Sequence, residues 1–163
     1  MVDDELVAHA HELAATIRYL TLGTVDADGR PWTSPVYFAA DDDLQQFYWT
    51  STEASEHSLN LAARPDVSLV VFDSTVPAYH GRCLYATGVA SLATGDELHR
   101  GLSVYPGSAS RGGAALGVED LTAPSPWRLY RAEASALWVL CPREPRQPCG
   151  RHGRADDHRV RIR

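Results

Sequence analysis

Short runs of alternating apolar and polar residues, separated by turn signals, constrain the fold of this chain more than any other feature. The run YLTLGTV (19–25) ends at the turn sequence DADG, and RPWTSPVYFAA (30–40) ends at DDD before LQQFYWT (44–50). Alternation over such lengths is typical of half-buried strands, and clusters of Gly and Asp are typical of the turns between them. Several such strands in hairpin succession predict a mainly β protein built as a closed antiparallel barrel.

The remaining strands follow the same signals further along the chain. The prolines in the second strand favour an edge or a bulge there, and Gly88 predicts a bulge or a close approach of backbones. A last strand is expected in the tail. The predicted strands are VSLVVF (67–72), RCLYATGVASL (82–92), WRLYRA (127–132), ALWVL (136–140) and DHRVRI (157–162).

Three short helices are expected around this barrel. Residues 1–19 have apolar side chains at helical spacing, with Asp3 and Asp4 placed to cap the helix. A second helix is predicted for Ser55–Ala63, and its end is placed there because the residue before Pro65 disfavours helical backbone. A third helix is predicted after Gly95. The segment 103–126 is rich in Gly, Ser and Pro, so we predict a loop.

Length, composition and charge limit the function classes. A chain of 163 residues with 44% hydrophobic residues is expected to form one domain, residues 1–163. No run of eighteen apolar residues and no secretory signal is present, which predicts a cytoplasmic protein. The net charge of −6 argues against a nucleic-acid partner, although the tail 143–163 holds 7 of the 15 arginines.

Few motifs carry chemistry by themselves. The sequence has no G-x-S-x-G, no Walker A and no G-x-G-x-x-G after a strand, and no side chain is identifiable as a general acid or base. Four residues near the C-terminus have side chains that zinc could bind, but their spacing matches no usual zinc finger, so we predict no metal site. These residues are Cys141, Cys149, His152 and His158.

The turn TSTEASEH (50–57) has two interpretations. Its hydroxyls and the free N–H groups of the following helix are suited to a phosphate, because the positive end of the helix dipole lies there. Alternatively, Ser55 is only an N-cap. The residues of this segment alone favour the N-cap.

A resemblance to a known family favours the phosphate. The stretch LGTVDADGRPWTSPVYFAADDDLQQFYWTSTEASEHSLNLAARPDVSLVVFD, followed by YATGVASL, YRAEASALWVL and DHRV, resembles the pyridoxamine 5′-phosphate oxidase-like flavin-binding proteins. The resemblance covers about Leu20–Leu92 and resumes, after an intervening loop, at YRAEASALWVL and DHRV. It implies a six-stranded split β-barrel, a homodimer with the cofactor at the interface, flavin mononucleotide (FMN) as the cofactor, and oxidoreductase activity on a small molecule.

The resemblance also assigns cofactor contacts. One strand would lie along the flavin ring, the end of the next would contact the flavin and its phosphate, and the turn after it would bind the phosphate. An aromatic residue and an arginine near the C-terminus would complete the site, supplied by the partner chain. In this order, the implied residues are Thr33, Ser34, Pro35 and Val36; Trp49, Thr50 and Ser51; Ser55 and His57; Trp138 and Arg159.

Two departures from the family's pattern affect these expectations. Glu56 and His57 stand where relatives often carry adjacent Arg and Lys, which puts phosphate affinity in question. The acidic Ala155–Asp157 replaces the basic residues that grip the substrate phosphate in pyridoxamine phosphate oxidases, so that activity is not expected.

Two alternative functions remain open. One is reduction with the deazaflavin coenzyme F420, and the other is a non-catalytic module that binds flavin or haem, with His57 and His80 as candidate axial ligands. Four tryptophans are the candidates to cover a dimer interface: Trp32, Trp49, Trp127 and Trp138.

Overall fold

Six antiparallel strands close into a barrel in the computed structural model, which describes residues 3–163. The sheet order is β3-β2-β1-β4-β5-β6, and β3 also pairs with β6, which closes the barrel. The predicted six-stranded antiparallel barrel is therefore confirmed. The strands are β1 (Tyr19–Val25), β2 (Pro31–Ala40), β3 (Gln46–Thr52), β4 (Asp66–Phe72), β5 (Cys83–Leu92) and β6 (Trp127–Leu140).

A short seventh strand, β7 (Arg159–Arg161), extends the sheet beyond the barrel. It pairs with the C-terminal end of β6, with Val139 opposite Val160. The strand expected within DHRVRI is thus present. It brings the arginine-rich tail back to the barrel.

The first helix, α1 (Asp4–Thr16), is shorter than predicted. Asp3 caps it, because its carboxylate accepts the backbone N–H of Glu5 and of Leu6. The prediction of helix across residues 1–19 was wrong at its end: Tyr19 already pairs with Tyr37 in the β1–β2 ladder. Residues 1 and 2 lie outside the described part of the chain.

Two more helices connect the strands. α2 (Glu56–Ala63) lies between β3 and β4, with Ser55 at the N-cap position, one residue from the predicted start. α3 (Asp96–Val104) follows Gly95 as expected, but it enters the segment predicted as a loop. Two 3-10 turns, Ala109–Arg111 and Glu119–Leu121, interrupt the rest of that segment.

The strands bury side chains on both faces. Phe38, Phe47 and Trp49 point into the barrel and are completely buried. Tyr48, on the opposite face of β3, packs in a second cluster with Leu98 of α3. Because α3 and the residues after it cover this outer face, alternation in β3 does not separate buried from exposed side chains.

Gly88 lies at an irregularity between β5 and β6, as its position in the sequence predicted. The pairing register shifts between Thr87 and Gly88. A Cβ atom at Gly88 would lie 2.1 Å from the backbone oxygen of Glu133, so no larger residue fits without a shift of the backbone.

A buried arginine fixes the C-terminal end of α1. Arg111 donates hydrogen bonds to the carbonyl oxygens of Ala14 and Ala15, and a third to the carbonyl of Phe38. A cation suits this position, because the last carbonyls of a helix carry partial negative charge. In the described residues, no helix is both long and apolar enough to cross a membrane.

Candidate functional site

A gap in the strand pairing opens one side of the barrel. β2 pairs with β1 along Pro31–Tyr37, but it pairs with β3 only at Phe38–Ala40. Among residues 3–163, no strand pairs with this edge of the N-terminal half of β2, and the end of β3 diverges from it. We call the space between them the β2–β3 cleft. An unpaired edge offers backbone N–H and C=O groups to a ligand.

The predicted ring contacts form this edge, with side chains on alternating sides. Val36 is buried and Ser34 is half-buried, whereas Thr33 and Pro35 are exposed. Pro35 lines an open cavity of about 780 Å³ on the outer side, together with Tyr19 and Phe72. The edge can therefore contribute backbone groups to a ligand, while its side chains alternate between the buried side and the exposed side of β2.

A cluster of hydroxyls around one histidine lies in the β2–β3 cleft. The Nε2 atom of His57 lies 2.8 Å from Ser51 Oγ and 3.2 Å from Ser55 Oγ, and its Nδ1 atom lies 3.1 Å from Ser34 Oγ. Ser55 Oγ also lies 2.9 Å from Ser58 Oγ. We call Ser34, Ser51, Ser55, His57 and Ser58 the hydroxyl cluster. It joins β2, β3 and α2 at one point.

Ser55 does not cap α2 with its side chain. The backbone of Ser55 has N-cap geometry, but its hydroxyl bonds to Thr52 O and to the hydroxyl cluster instead of a first-turn N–H group. The first N–H groups of α2 therefore keep their capacity to bind an anion. The interpretation of Ser55 as a simple N-cap does not account for this geometry.

The charge state of His57 follows from its burial. Desolvation lowers the pKa of His57 below its ordinary value of 6.5. At neutral pH the free protein therefore holds a neutral imidazole in the hydroxyl cluster. The neighbouring Glu56 is exposed.

Thr50 and Trp49 have other surroundings than expected. Thr50 Oγ1 lies 3.1 Å from the hydroxyl of Tyr105, on the outer face of β3. The Trp49 side chain is completely buried and stacks on Tyr130 inside the barrel, with ring centroids 6.0 Å apart. Trp49 can therefore offer only backbone groups to a cofactor, and it does not contribute to a dimer surface. Trp32 and Trp127, in contrast, are about half exposed.

Trp138 and Arg159 lie far from the hydroxyl cluster along β6. Ser51 is opposite Arg128 near the start of β6, and Trp138 comes ten residues later. At a rise of about 3.3 Å per residue, that separation is about 33 Å along the strand. The guanidinium of Arg159 lies 5.0 Å from the Tyr85 ring centroid. The structure thus does not bring these two residues to the hydroxyl cluster of the same chain.

Arg128 is a candidate that the sequence did not reveal. It lies directly opposite Ser51 in the β3–β6 ladder, so both side chains point to the same side of the sheet. Its guanidinium forms an ion pair with Glu53 at 3.0 Å. The guanidinium also donates to the carbonyl oxygens of Ser125 and Trp127. Only the strand pairing places Arg128 opposite a member of the hydroxyl cluster, because β3 and β6 are far apart in sequence.

The four residues near the C-terminus whose spacing did not match a zinc finger also lie close together. Their ligand atoms all lie within 4.8 Å of one another. They are the Cys/His cluster: Cys141, Cys149, His152 and His158. Sequence spacing missed it because the pairing of β6 with β7 brings the residues together.

Comparison with known proteins identifies the family. The sequence model of the pyridoxamine 5′-phosphate oxidase family matches residues 6–141. The chain belongs to the pyridoxamine 5′-phosphate oxidase family. No curated protein sequence matches the chain significantly.

Solved structures show a similar fold. A haem-binding protein from Mycobacterium smegmatis aligns with a TM-score of 0.68 at 20% identity, covering 97% of this chain and 59% of that protein. The haem storage protein HutZ from Vibrio cholerae aligns at 0.66 and 22% identity, covering 84% and 96%. An F420 reductase aligns at 0.52 and 23% identity, covering 78% and 94%. Proteins that share this fold therefore include two described as haem proteins and one described as an F420 reductase.

Proposed function

We propose that the protein binds FMN in the β2–β3 cleft and acts as an FMN-dependent oxidoreductase on a small molecule. The hydroxyl cluster beside an unpaired strand edge carries this proposal. Hydroxyls and helix N–H groups bind phosphates, and the free backbone groups of an unpaired strand edge can form hydrogen bonds with the polar edge of a heterocycle.

Each part of the cleft has its own role in binding. Ser51, Ser55 and the first turn of α2 donate hydrogen bonds to the phosphate, and His57 donates from its imidazolium. Arg128 adds a permanent charge when its guanidinium exchanges Glu53 for the phosphate, while its hydrogen bonds to the carbonyls of Ser125 and Trp127 remain. Backbone groups of Thr33–Val36 hold the ring by its polar edge.

The bound flavin would supply the hydride or electron transfer, as cofactors of this kind do. The chain's own residues orient the ring and limit its access to water.

Trp32 and Trp127 have exposed apolar side chains that a second chain can cover. We propose a homodimer in which the partner's C-terminal region brings an aromatic and a cationic side chain to the cleft.

Deazaflavin and haem are the competing cofactors. The fold similarity to an F420 reductase supports the first, and the similarity to two haem proteins supports the second. For haem, His80 is a better axial candidate than His57. His80 lines an open cavity of about 480 Å³, whereas hydroxyls occupy both ring nitrogens of His57.

An absorption spectrum of the protein, purified and then mixed with each cofactor, tests the proposal. Two flavin bands retained after gel filtration with FMN are the expected result. A single deazaflavin band retained after mixing with F420, or a Soret band with haem, without retention of FMN, would overturn it. The Ser51→Ala variant should retain less FMN than the wild-type protein, and Ser91→Ala, which changes an exposed serine of β5, is the matched control.

A further inference from the structure

The Cys/His cluster has the chemistry of a metal site outside the cofactor cleft. Cys141, Cys149 and His158 are buried, and His152 is exposed. Both thiols are free. Two thiols and two imidazoles that converge on one point form the donor set that zinc prefers in structural sites.

The separations between the ligand atoms match a tetrahedral zinc site. With Zn–S near 2.3 Å and Zn–N near 2.05 Å, tetrahedral geometry requires S···N distances of about 3.5 Å and an N···N distance of about 3.3 Å. His152 Nδ1 lies 3.5 Å from the sulfur of Cys141 and 3.5 Å from that of Cys149. His158 Nε2 lies 3.6 Å from Cys149 Sγ and 3.2 Å from His152 Nδ1. These four separations fit a single tetrahedral ion, and the other two separations among the four ligand atoms are also below 4.8 Å.

The surrounding backbone orients these ligands. His158 Nδ1 lies 3.0 Å from the carbonyl oxygen of Asp156, so it donates its proton there and leaves the lone pair of Nε2 facing the cluster. The backbone N–H of His152 donates to Cys149 Sγ at 3.2 Å, which favours a thiolate. Such outer contacts are a general feature of metal sites in proteins.

Strand pairing and a tight turn bring the ligands together. Cys141 follows β6, and its backbone N–H donates to the carbonyl of His158, which precedes β7. Cys149 and His152 come from a turn in which Gly153 N–H donates to the Cys149 carbonyl. The cluster therefore joins both ends of segment 142–157 to its middle.

We propose that the Cys/His cluster binds one zinc ion in a closed, four-coordinate structural site. The ion would hold segment 142–157 against the end of β6 and so stabilise the position of β7. This strand carries Arg159 and Arg161, whose guanidinium groups lie 5.0 Å and 5.9 Å from the rings of Tyr85 and Trp138. The sequence-based prediction of no metal site relied on finger spacing, which does not describe a site assembled from a β-ladder and a turn.

Zinc titration of the full chain under reducing conditions, in competition with a chelating dye, tests this site. We expect one Zn²⁺ bound per chain, and a melting temperature that rises with zinc, because binding to the folded state stabilises it. Cys83→Ser removes the one cysteine outside the cluster and should leave both results unchanged. Failure of the wild-type protein to compete with the dye, or a Cys141–Cys149 disulfide in protein purified with reductant, would overturn the proposal.

Variants and cobalt identify the ligands. His152→Ala changes an exposed side chain and should still fold, yet its zinc affinity should fall at least tenfold, while exposed His99→Ala should bind as the wild type. Equal affinity of the two variants would contradict the assignment. Cys149→Ser removes a buried ligand and should also weaken zinc binding. If this variant does not fold, the absorption spectrum of Co²⁺ bound to the wild-type protein tests the thiolate ligands instead. Tetrahedral ligand-field bands with thiolate charge transfer support the site, and a weak octahedral spectrum overturns it.

Discussion

The imidazole of His57 lies 2.8 Å from the hydroxyl of Ser51, which joins the start of α2 to the end of β3 where β3 diverges from β2. This contact defines the inner end of the β2–β3 cleft. Burial keeps the imidazole neutral in the free protein. A phosphate bound there would face a histidine that must take up a proton to become its counterion.

The first prediction is that FMN affinity depends on pH through His57. The pKa of His57 lies below 6.5 in the free protein, and a bound dianion raises it, so binding takes up a proton. Affinity should therefore fall as pH rises from about 6 to about 8. The second ionisation of the phosphate, near ~6, opposes this only at the acid end. Titration calorimetry measures the trend.

The variant His57→Arg is the control for this trend. A permanent cation removes the proton uptake, so the alkaline decrease should flatten and binding should tighten. An unchanged decrease in the variant would show that His57 does not contact the phosphate.

The second prediction concerns the stability of the cofactor-free protein in acid. Burial lowers the pKa of His57, so the folded state binds fewer protons than the unfolded state as pH falls through the ordinary value of 6.5. The stabilisation is present above this pH and is lost below it. The free energy of unfolding in urea should therefore decrease from about pH 7 to about pH 5, and less steeply in His57→Gln. If the free energy of unfolding decreased equally with falling pH in the wild-type protein and in His57→Gln, groups other than His57 would cause the acid sensitivity.

The third prediction is negligible oxidation of pyridoxamine phosphate. Asp156 and Asp157 are exposed, and each pairs with an arginine of the same tail, Arg154 and Arg143. A substrate phosphate would meet carboxylates here, and the arginines are already engaged. Turnover faster than about one per second in an oxidase assay with saturating FMN would refute this.

The fourth prediction tests the bulge at Gly88. In Gly88→Ala the new methyl group would collide with the Glu133 carbonyl, and the backbone must shift to admit it. We expect a loss of about 1–3 kcal/mol in the free energy of unfolding, which chemical denaturation measures. Ser91→Ala, at an exposed position of the same strand, should change it by less than about 0.5 kcal/mol. Equal stability of the two variants would mean that the ladder accommodates the methyl group.

The sequence predicted most elements of the barrel because their signals are local, but the two strands predicted at 127–132 and 136–140 form one continuous strand, β6. Alternation in YLTLGTV and the turn DADG specify a strand and its end without knowledge of the rest of the chain. α2 was predicted to within one residue for the same reason, since Pro65 limits it. The end of α1 was predicted wrongly, because the pairing of Tyr19 with Tyr37 decides it.

The sites were harder to predict, because pairing between distant strands builds them. Arg128 lies beside Ser51 only through the β3–β6 ladder, and Cys141 meets His158 only through the β6–β7 ladder. The position of Trp49 shows a second difficulty: both faces of β3 are buried, so its pattern does not reveal which one is the core.

Calorimetric comparison of FMN with riboflavin tests the phosphate site most directly, because the two ligands differ only in the phosphate. We predict that the wild-type protein binds FMN at least about tenfold more tightly, since one charge-assisted hydrogen bond contributes about 1.5–3 kcal/mol. The difference should shrink in Ser51→Ala and persist in Ser91→Ala, with riboflavin affinity alike in all three proteins. Equal affinity of the wild-type protein for the two ligands would contradict the assignment of the hydroxyl cluster as the phosphate site.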